Sequence, residues 1–324
     1  MNHIRNLSFF GICMAFVVIA LGAWTRLVDA GLGCPDWPGC YGFVTFPVSE
    51  ADIAIAESRF PTFEYDINKV IPEVVHRYFA AGLGLLAIFL LYFSFTKTED
   101  RYIRGWASFL LFFICCQGLF GYLTVSLKLL PIIVTTHLFG GFTTLLLLYF
   151  LYLKSRNFKI FNQINISNLK FITSIAFVVL LLQIFLGVWT STNYASLACA
   201  DFPTCGGSYF PEMDFKNGFN LNQEVGPNYL YGLLDNPARV AIHYSHRVTA
   251  ILVTLIFLIL MSRLWFSDAA PLASTLGILL LTQITLGIIN VVYVLPLYVA
   301  IAHNLVAACL LLATFTINYL AWKK

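Results

Sequence analysis

Residues 21–40, LGAWTRLVDAGLGCPDWPGC, recur with substitutions as residues 186–205, LGVWTSTNYASLACADFPTC, at an offset of 165. In both copies, an apolar segment is followed by two cysteines that enclose an aspartate, an aromatic residue and a proline. Matches spaced this regularly indicate an internal repeat, so the chain consists of two similar halves. Further matches at offsets of 166 to 170 are Gln117 with Gln283, His76 with His246, and His137 with His303.

The composition places both halves in a membrane. Hydrophobic residues make up 59% of the 324 residues and charged residues only 11%, whereas a soluble domain has about 25% charged residues. This leaves too little polar surface for a water-soluble globule. The net charge of +3 is spread along the chain without a basic run, so nucleic acid is not expected as a partner.

Stretches of about 20 apolar residues predict eight transmembrane helices. The last charge-free stretch is too long for one span, and Pro296 marks the expected break within it. The predicted spans are Arg5–Arg26, Pro72–Lys97, Arg104–Lys128, Lys128–Lys154, Lys170–Thr190, Pro237–Ser262 and two within Asp268–Lys323.

Lysines and arginines predict the orientation, because they concentrate in cytoplasmic loops. With the N-terminus inside, the short inner loops are basic, the long outer loops hold most of the acids, and both termini are cytoplasmic. The basic residues on the inner side are Arg5, Lys97, Arg101, Arg104, Lys154, Arg156, Lys159, Lys170, Arg263, Lys323 and Lys324.

Each repeat contains four helices, so both have the same orientation in the membrane. This predicts an all-α membrane protein of two four-helix bundles, residues 1–160 and 161–324, related by a pseudo-twofold axis along the membrane normal. One detail disagrees: His76 lies four residues after Pro72, whereas His246 lies nine after Pro237. Either the later helix begins earlier or the match of the prolines is coincidental.

Four histidines lie on the even-numbered spans, a few residues inside the outer face: His76, His137, His246 and His303. Two histidines per bundle can face one another across the core, which is the geometry for holding a planar heme between two imidazoles. Hydrogen-bonded packing histidines, a proton path and zinc are the alternatives, and zinc lacks an obvious third ligand. In so apolar a chain, each histidine at membrane depth needs a reason.

Several polar residues accompany these histidines. His243 precedes His246 by three residues and corresponds to Glu73 in the first half. It is expected to support His246 or to be an alternative ligand. Arg77 and Arg247 directly follow the predicted ligands and could bind heme propionates, or could simply snorkel at the helix ends.

Two cysteine pairs, Cys34/Cys40 and Cys199/Cys205, lie in the predicted outer loops, on the oxidising side. Each is expected to form a local disulfide around a turn. A thiol–disulfide relay is the functional alternative, and a shared four-thiolate zinc site is a third.

This set of motifs resembles the heme A synthase family over nearly the whole chain. The resemblance is carried by Glu73-x2-His76-Arg77, Thr136-His137, His246-Arg247, Ala302-His303-Asn304 and the outer cysteine pairs. It implies an oxidoreductase that converts the C8 methyl of heme O to the formyl of heme A for terminal oxidases. It also implies that His76 and His137 flank the substrate heme in the first half and that His246 and His303 ligate heme b in the second.

The resemblance further implies a multi-pass protein of the inner (cytoplasmic) membrane, with its heme sites and cysteine loops near the outer face. The implied partners are heme O synthase, terminal oxidase assembly factors and an unidentified electron carrier. A di-heme electron-transfer protein and a quinone-linked disulfide-forming protein remain as alternative functions.

Glu73 is the candidate catalytic residue, as the only acid near a predicted ligand in the first half. Two axial imidazoles leave no open iron site for oxygen unless a ligand departs, and the chemistry is on a methyl group at the edge of the ring. A carboxylate there could stabilise positive charge, accept a proton or trap the reacting carbon. A salt bridge with Arg77, or a favourable interaction with the helix dipole, would be a structural explanation of the same residue.

Overall fold

The computed structural model describes residues 2–156, 166–267 and 269–323. Within these ranges, eight helices are long and apolar enough to cross a membrane, which confirms the predicted number. Lys159, Asp268, Lys324 and the predicted boundary after residue 160 lie outside the described residues. The helices are α1 (Asn2–Leu27), α2 (Glu50–Arg59), α3 (Ile67–Lys97), α4 (Arg101–Ser126), α5 (Pro131–Ser155), α6 (Lys170–Thr192), α7 (Phe215–Gly218), α8 (Asn236–Trp265), α9 (Ala270–Val292) and α10 (Leu297–Trp322).

Helix α3 begins at Ile67, five residues before the predicted start at Pro72. The side chain of Asp66 accepts a hydrogen bond from the backbone N–H of Asn68 and thereby caps the helix. The prediction was wrong because the first turn is polar and looks unlike a membrane span. His76 is thus nine residues into α3 and His246 ten residues into α8, so the apparent match of Pro72 with Pro237 is coincidental.

The chain divides into two units, each with four of the long helices. The first unit comprises Met1–Arg156 together with Asn222–Tyr231, and the second comprises Asn157–Leu221 together with Gly232–Lys324. In the first unit, α1 packs against α3 and α5, and α4 also packs against α3 and α5. Helices α3 and α5 are therefore diagonal to each other in a bundle of four.

The second unit has the same internal packing. Helix α6 contacts α8 and α10, and α9 contacts the same two helices, so α8 and α10 form the diagonal pair. In both units, the two diagonal helices carry the predicted histidine ligands. The packing order of the helices therefore agrees with the sequence repeat.

The repeat extends to unusual backbone conformations. Lys128 and Leu129 have positive φ angles in the short turn before α5, and Val294 and Leu295 have them in the turn before α10. The cysteine loops also match, since the peptide bonds before Pro38 and Pro203 are both cis. Left-handed backbone is uncommon outside glycine, so its recurrence at the repeat offset is independent support for two copies of one unit. The other matching positive-φ positions are Asp29 with Tyr194, Tyr41 with Gly206, and Gly42 with Gly207.

Candidate functional site

The four histidines lie at matching depths on the diagonal helices. His76 and His246 lie nine and ten residues after the first residues of α3 and α8. His137 and His303 each lie six residues after the start of α5 and α10. At 1.5 Å per residue, these positions are about 9–15 Å along the helices.

In the first unit, the structure brings His76 and His137 together across the bundle. Their ring centroids are 6.4 Å apart and the ring planes are perpendicular. Two metal–imidazole bonds of about 2 Å each, added to the two ring radii, give a similar centroid separation. Nδ1 of each ring is buried without a hydrogen-bond partner. This donor set fits a metal held between two imidazoles.

Every histidine ring rests on a glycine of a neighbouring helix. A Cβ atom on Gly22 of α1 would lie 3.0 Å from Cε1 of His76, and one on Gly121 of α4 would lie 3.5 Å from Cε1 of His137. The second unit repeats this arrangement, with separations of 3.0 Å for Gly187 with His246 and 3.2 Å for Gly287 with His303. A Cβ would crowd the ring at Gly22, Gly187 and Gly287, whereas the separation at Gly121 is an ordinary van der Waals contact. The first three glycines therefore let the imidazoles approach the helix backbone.

The residue four positions before each glycine also presents its backbone carbonyl to the ring. Metal-binding histidines commonly direct the nitrogen that does not bind the metal at such a carbonyl, which fixes the ring orientation. The four histidines thus share one environment, a carbonyl and a glycine on successive turns of a neighbouring helix. The carbonyls belong to Val18 for His76, Gln117 for His137, Gln183 for His246 and Gln283 for His303.

The units differ in the side chains around these rings. In the second unit, Nε2 of Gln183 lies 3.1 Å from Nδ1 of His246, and Nε2 of Gln283 lies 3.1 Å from Nε2 of His303. In the first unit, the residue that corresponds to Gln183 is Val18. The Gln117 amide instead packs on Gly140, where an added Cβ would come within 1.9 Å of the amide nitrogen.

Both predicted disulfides are formed. The S–S distances are 2.03 Å for Cys34–Cys40 and 2.04 Å for Cys199–Cys205, and all four cysteines are at most 3% exposed. Pairing removes the thiolates that a four-thiolate zinc site would require. Because the sulfur atoms are buried, a thiol reagent could reach them only after the loop moves.

An aspartate organises the turn inside each disulfide loop. Asp36 accepts hydrogen bonds from the backbone N–H groups of Tyr41 and Gly42, at 2.6 and 2.8 Å. Asp201 accepts from Gly206 and Gly207, at 2.6 and 2.9 Å, and also from the Thr204 hydroxyl. The hydroxyl and the N–H groups lower the pKa of Asp201 to about 2, so this turn stays intact in mild acid.

Arg77 joins the first disulfide loop to the helix that carries His76. Its Nη1 donates hydrogen bonds to the carbonyl oxygens of Asp36 and Gly39, at 2.9 and 2.7 Å. Its Nη2 donates to Oε1 of Glu73 at 2.5 Å, and Oε2 of Glu73 accepts from the N–H of Cys34 at 2.9 Å. Glu73 is only 4% exposed. Its salt bridge with Arg77 is the structural explanation that the sequence offered for this residue.

The second unit repeats this connection with a histidine in place of the carboxylate. Arg247 donates to the carbonyl oxygens of Thr204 and Cys199, at 2.9 and 2.8 Å. Its Nε lies 3.2 Å from Nε2 of His243, and the N–H of Cys199 lies 3.4 Å from Nδ1 of the same ring. A neutral imidazole accepts at one of these nitrogens and carries a proton on the other. Both ring nitrogens of His243 are therefore occupied by partners outside the His246–His303 pair.

Sequence reasoning missed two features of this site. The arginines bind loop carbonyls, and these partners lie 38 to 48 residues away in the chain, so no local pattern reveals them. The contact of Gln183 with His246 was also missed. The signal was available in the pattern Gln-x3-Gly, which occurs at 117–121, 183–187 and 283–287 but reads Val-x3-Gly at 18–22.

The first disulfide loop also contains a pH-sensitive tyrosine. Burial, together with nearby Tyr65 and Glu73, raises the pKa of Tyr41 to about 12, and its hydroxyl donates to the Glu64 carbonyl at 3.0 Å. The folded-state pKa of Tyr41 lies above the ordinary value of 10.0, so the protonated tyrosine stabilises the folded state. This stabilisation is complete below pH 10 and is lost as the pH rises towards 12.

We therefore expect the thermal midpoint of the purified protein to fall between pH 10 and 12, and to fall less in Tyr41→Phe. Tyr209→Phe, which alters an exposed tyrosine of the second loop, is the matched control. Equal pH dependence in the wild type and in Tyr41→Phe would contradict this assignment.

The fold and the site define a multi-span helical membrane protein in which His76 and His137 face one another and His246 and His303 occupy the repeated positions. Each pair is accompanied by a disulfide loop. A family model described as cytochrome oxidase assembly protein (COX15-CtaA) matches residues 5–315. The chain belongs to this family.

Individual relatives cover the chain almost completely. A heme A synthase of Shewanella oneidensis is 43% identical over 310 residues, which are 95% of this chain and 93% of the relative. Heme A synthases of Rickettsia felis and Pelagibacter ubique are 28% and 27% identical, over 94% and 98% of this chain and 93% and 97% of the relatives.

Proposed function

We propose that this chain is a heme A synthase, an oxidoreductase that converts the C8 methyl of heme O to the formyl of heme A. The observation that carries the proposal is the combination of near full-length similarity to a heme A synthase with the facing pair His76 and His137. In this proposal the first unit takes the substrate, with His76 and His137 on either side of it.

The second unit is proposed to hold heme b between His246 and His303. Each ring lies on a glycine and faces a carbonyl, as expected of metal-binding imidazoles. A heme held by His246 and His303 would supply electron transfer. His243 is not proposed as a ligand, because Cys199 and Arg247 already occupy its ring nitrogens.

Glu73 is proposed as the catalytic carboxylate. It precedes His76 by three residues, so both side chains project from the same face of α3. Each carboxylate oxygen accepts one hydrogen bond, from Arg77 or from Cys34, and retains a further lone pair. Conversion of a methyl group to a formyl group, with water supplying the oxygen atom, releases four protons and four electrons. Glu73 would accept a proton, and the electron carrier would accept the electrons.

Arg77 and Arg247 are proposed to have two tasks. Each holds a disulfide loop through backbone carbonyls, and the N–H groups that remain could bind a heme propionate. A guanidinium carries five N–H donors, so these tasks are compatible. The disulfides are proposed to be structural, since the sulfur atoms are buried.

We propose that both termini are cytoplasmic and that the two units are bundles related by a pseudo-twofold axis along the membrane normal. The basic residues at the α3–α4 connection and after α5 support this orientation. The histidines and disulfide loops then lie near the outer face of the inner membrane. Heme O synthase would supply the substrate, terminal oxidase assembly factors would receive the product, and an electron carrier would accept the electrons.

The decisive experiment is expression of the chain with a heme O synthase in a host that makes no heme A. We expect heme A among the extracted hemes, identified by mass, and no heme A with His76→Ala. Heme bound without conversion of heme O would favour a di-heme electron-transfer protein. Absence of a Soret band after heme-replete expression would exclude both heme functions and favour disulfide formation.

The glycines beneath the histidines give a second test. In Gly187→Ala the new methyl group would lie 3.0 Å from Cε1 of His246, so the ring must shift. We expect heme affinity to fall about tenfold, the lower end of the range for groups that orient metal ligands. The control is Gly141→Ala, because a Cβ there would have no neighbour within 4 Å. Equal heme affinity in the two variants would show that this close contact is not needed.

A further inference from the structure

The two histidine pairs are held differently, and the difference follows the division of labour proposed above. In the second unit, the Gln183 amide nitrogen lies 3.1 Å from Nδ1 of His246 and donates to the backbone carbonyl of the same residue at 3.1 Å. In the first unit, the corresponding residue is Val18. The side chain of valine cannot hydrogen-bond, so only the backbone carbonyl of Val18 faces the His76 ring. Nδ1 of His76 has no partner, as is also true of Nδ1 of His303.

The second histidines of the two pairs, His303 and His137, also differ in whether a glutamine amide contacts the ring. Here the cause is a difference between the halves at another position. Gln283 reaches the His303 ring, but the Gln117 amide packs against Gly140. A residue with a side chain at position 140 would displace that amide, and the corresponding residue in the second half is Val306. Both histidines of the second unit therefore contact a glutamine amide, whereas neither histidine of the first unit has such a contact.

We propose that Gln183 is a positioning residue that locks His246 as a permanent ligand, and that Val18 leaves His76 free to release its heme. This inference rests on the proposed assignment of the cofactor to the second unit and the substrate to the first. A cofactor must be retained through many turnovers, whereas a substrate must enter and its product must leave. The residue at this repeated position, Val18 or Gln183, would thus determine whether the heme of that unit is exchanged or retained.

The chemistry of the amide supports this role. When one imidazole nitrogen binds iron, the other carries a proton and needs an acceptor. The backbone carbonyl of Gln183 already faces the ring. The amide oxygen of Gln183 is buried without a partner and would become a second acceptor for the N–H if the amide rotated, in exchange for its hydrogen bond to the His246 carbonyl. Such a hydrogen bond makes the ligand more basic, which favours ferric over ferrous iron. Gln183 is therefore expected to lower the midpoint potential of the second-unit heme as well as its rate of loss.

The test measures heme loss and midpoint potential in the purified full-length protein. In Gln183→Val, which copies the first unit, we expect transfer of heme b to a heme-free globin about tenfold faster, equivalent to about 1.4 kcal/mol. We also expect a higher midpoint potential. Gln183→Glu, which can still accept the hydrogen bond, should restore slow loss. Gln117→Val is the matched control and should leave the heme b kinetics and potential unchanged.

The reciprocal variant does not depend on a loss of function. In Val18→Gln, we expect slower release of heme from the first unit and accumulation of the bound product. Unchanged heme loss and potential in Gln183→Val, in protein that still contains heme b, would overturn this inference while leaving the proposed function intact. A wild-type protein that binds no heme would instead refute the proposed function.

Discussion

Replacement of Glu73 by histidine is expected to leave the protein folded and able to bind heme but to abolish heme A formation. The second unit already has this arrangement, because the ring of His243 lies between the Cys199 N–H and Arg247. Glu73→His therefore places an imidazole beside the same two partners, where it can accept from one of them, and removes the carboxylate. Loss of a catalytic acid or base reduces a rate by about 10²–10⁴-fold. Extracted hemes, thermal midpoint and Soret absorbance are the measurements.

The control for Glu73→His is the reciprocal His243→Glu, which introduces a carboxylate beside Arg247 and should retain heme A formation. Arg77→Met tests the structural role of the salt bridge apart from catalysis by Glu73, because it leaves the carboxylate buried without its cation. Breaking a buried pair in this way costs about 3–5 kcal/mol, so this variant should melt at a lower temperature. Full activity in Glu73→His would remove the carboxylate from the mechanism and leave the salt bridge as its only role.

Replacement of His246 by alanine is expected to remove heme b from the second unit. Outer-shell partners of a metal ligand contribute about 10–100-fold to affinity, so loss of the ligand itself should exceed that range. His243→Ala is the comparison, since His243 lies one turn away on the same helix. It should retain heme b but loosen the second disulfide loop, detectable as faster reduction of Cys199–Cys205 by an added thiol. Heme loss in His243→Ala and retention in His246→Ala would reverse the assignment of the ligand.

The number of spans was predictable because charges are scarce and interrupt the apolar stretches regularly. The start of α3 was not, since Asn68 and Lys69 make its first turn polar although the helix continues through it. Sequence alone also left unexplained why His76 follows Pro72 by four residues whereas His246 follows Pro237 by nine. The observed helix starts explain it, because Pro237 lies at the beginning of α8 and Pro72 lies within α3.

The candidate site was predictable where it depends on the repeat. His76 and His137 could be paired because a four-helix bundle brings alternate helices together, and the exchange of Glu73 for His243 was visible in the alignment of the halves. The contacts of Arg77 with Asp36 and Gly39 were not predictable, because they depend on how the loop folds back onto α3. The same limit applies to the amide contacts of Gln183, which depend on the rotation of α6 about its axis.

The first unit includes residues 222–231, which come from the long connection before α8. Tyr229 donates its backbone N–H to the carbonyl of Lys128 at 3.0 Å, in the turn that leads into α5. A gene for the first four spans alone would therefore encode an incomplete first unit. If the two copies arose by duplication, they have since become interdependent, and separated halves would have to be supplied together to rebuild the first unit.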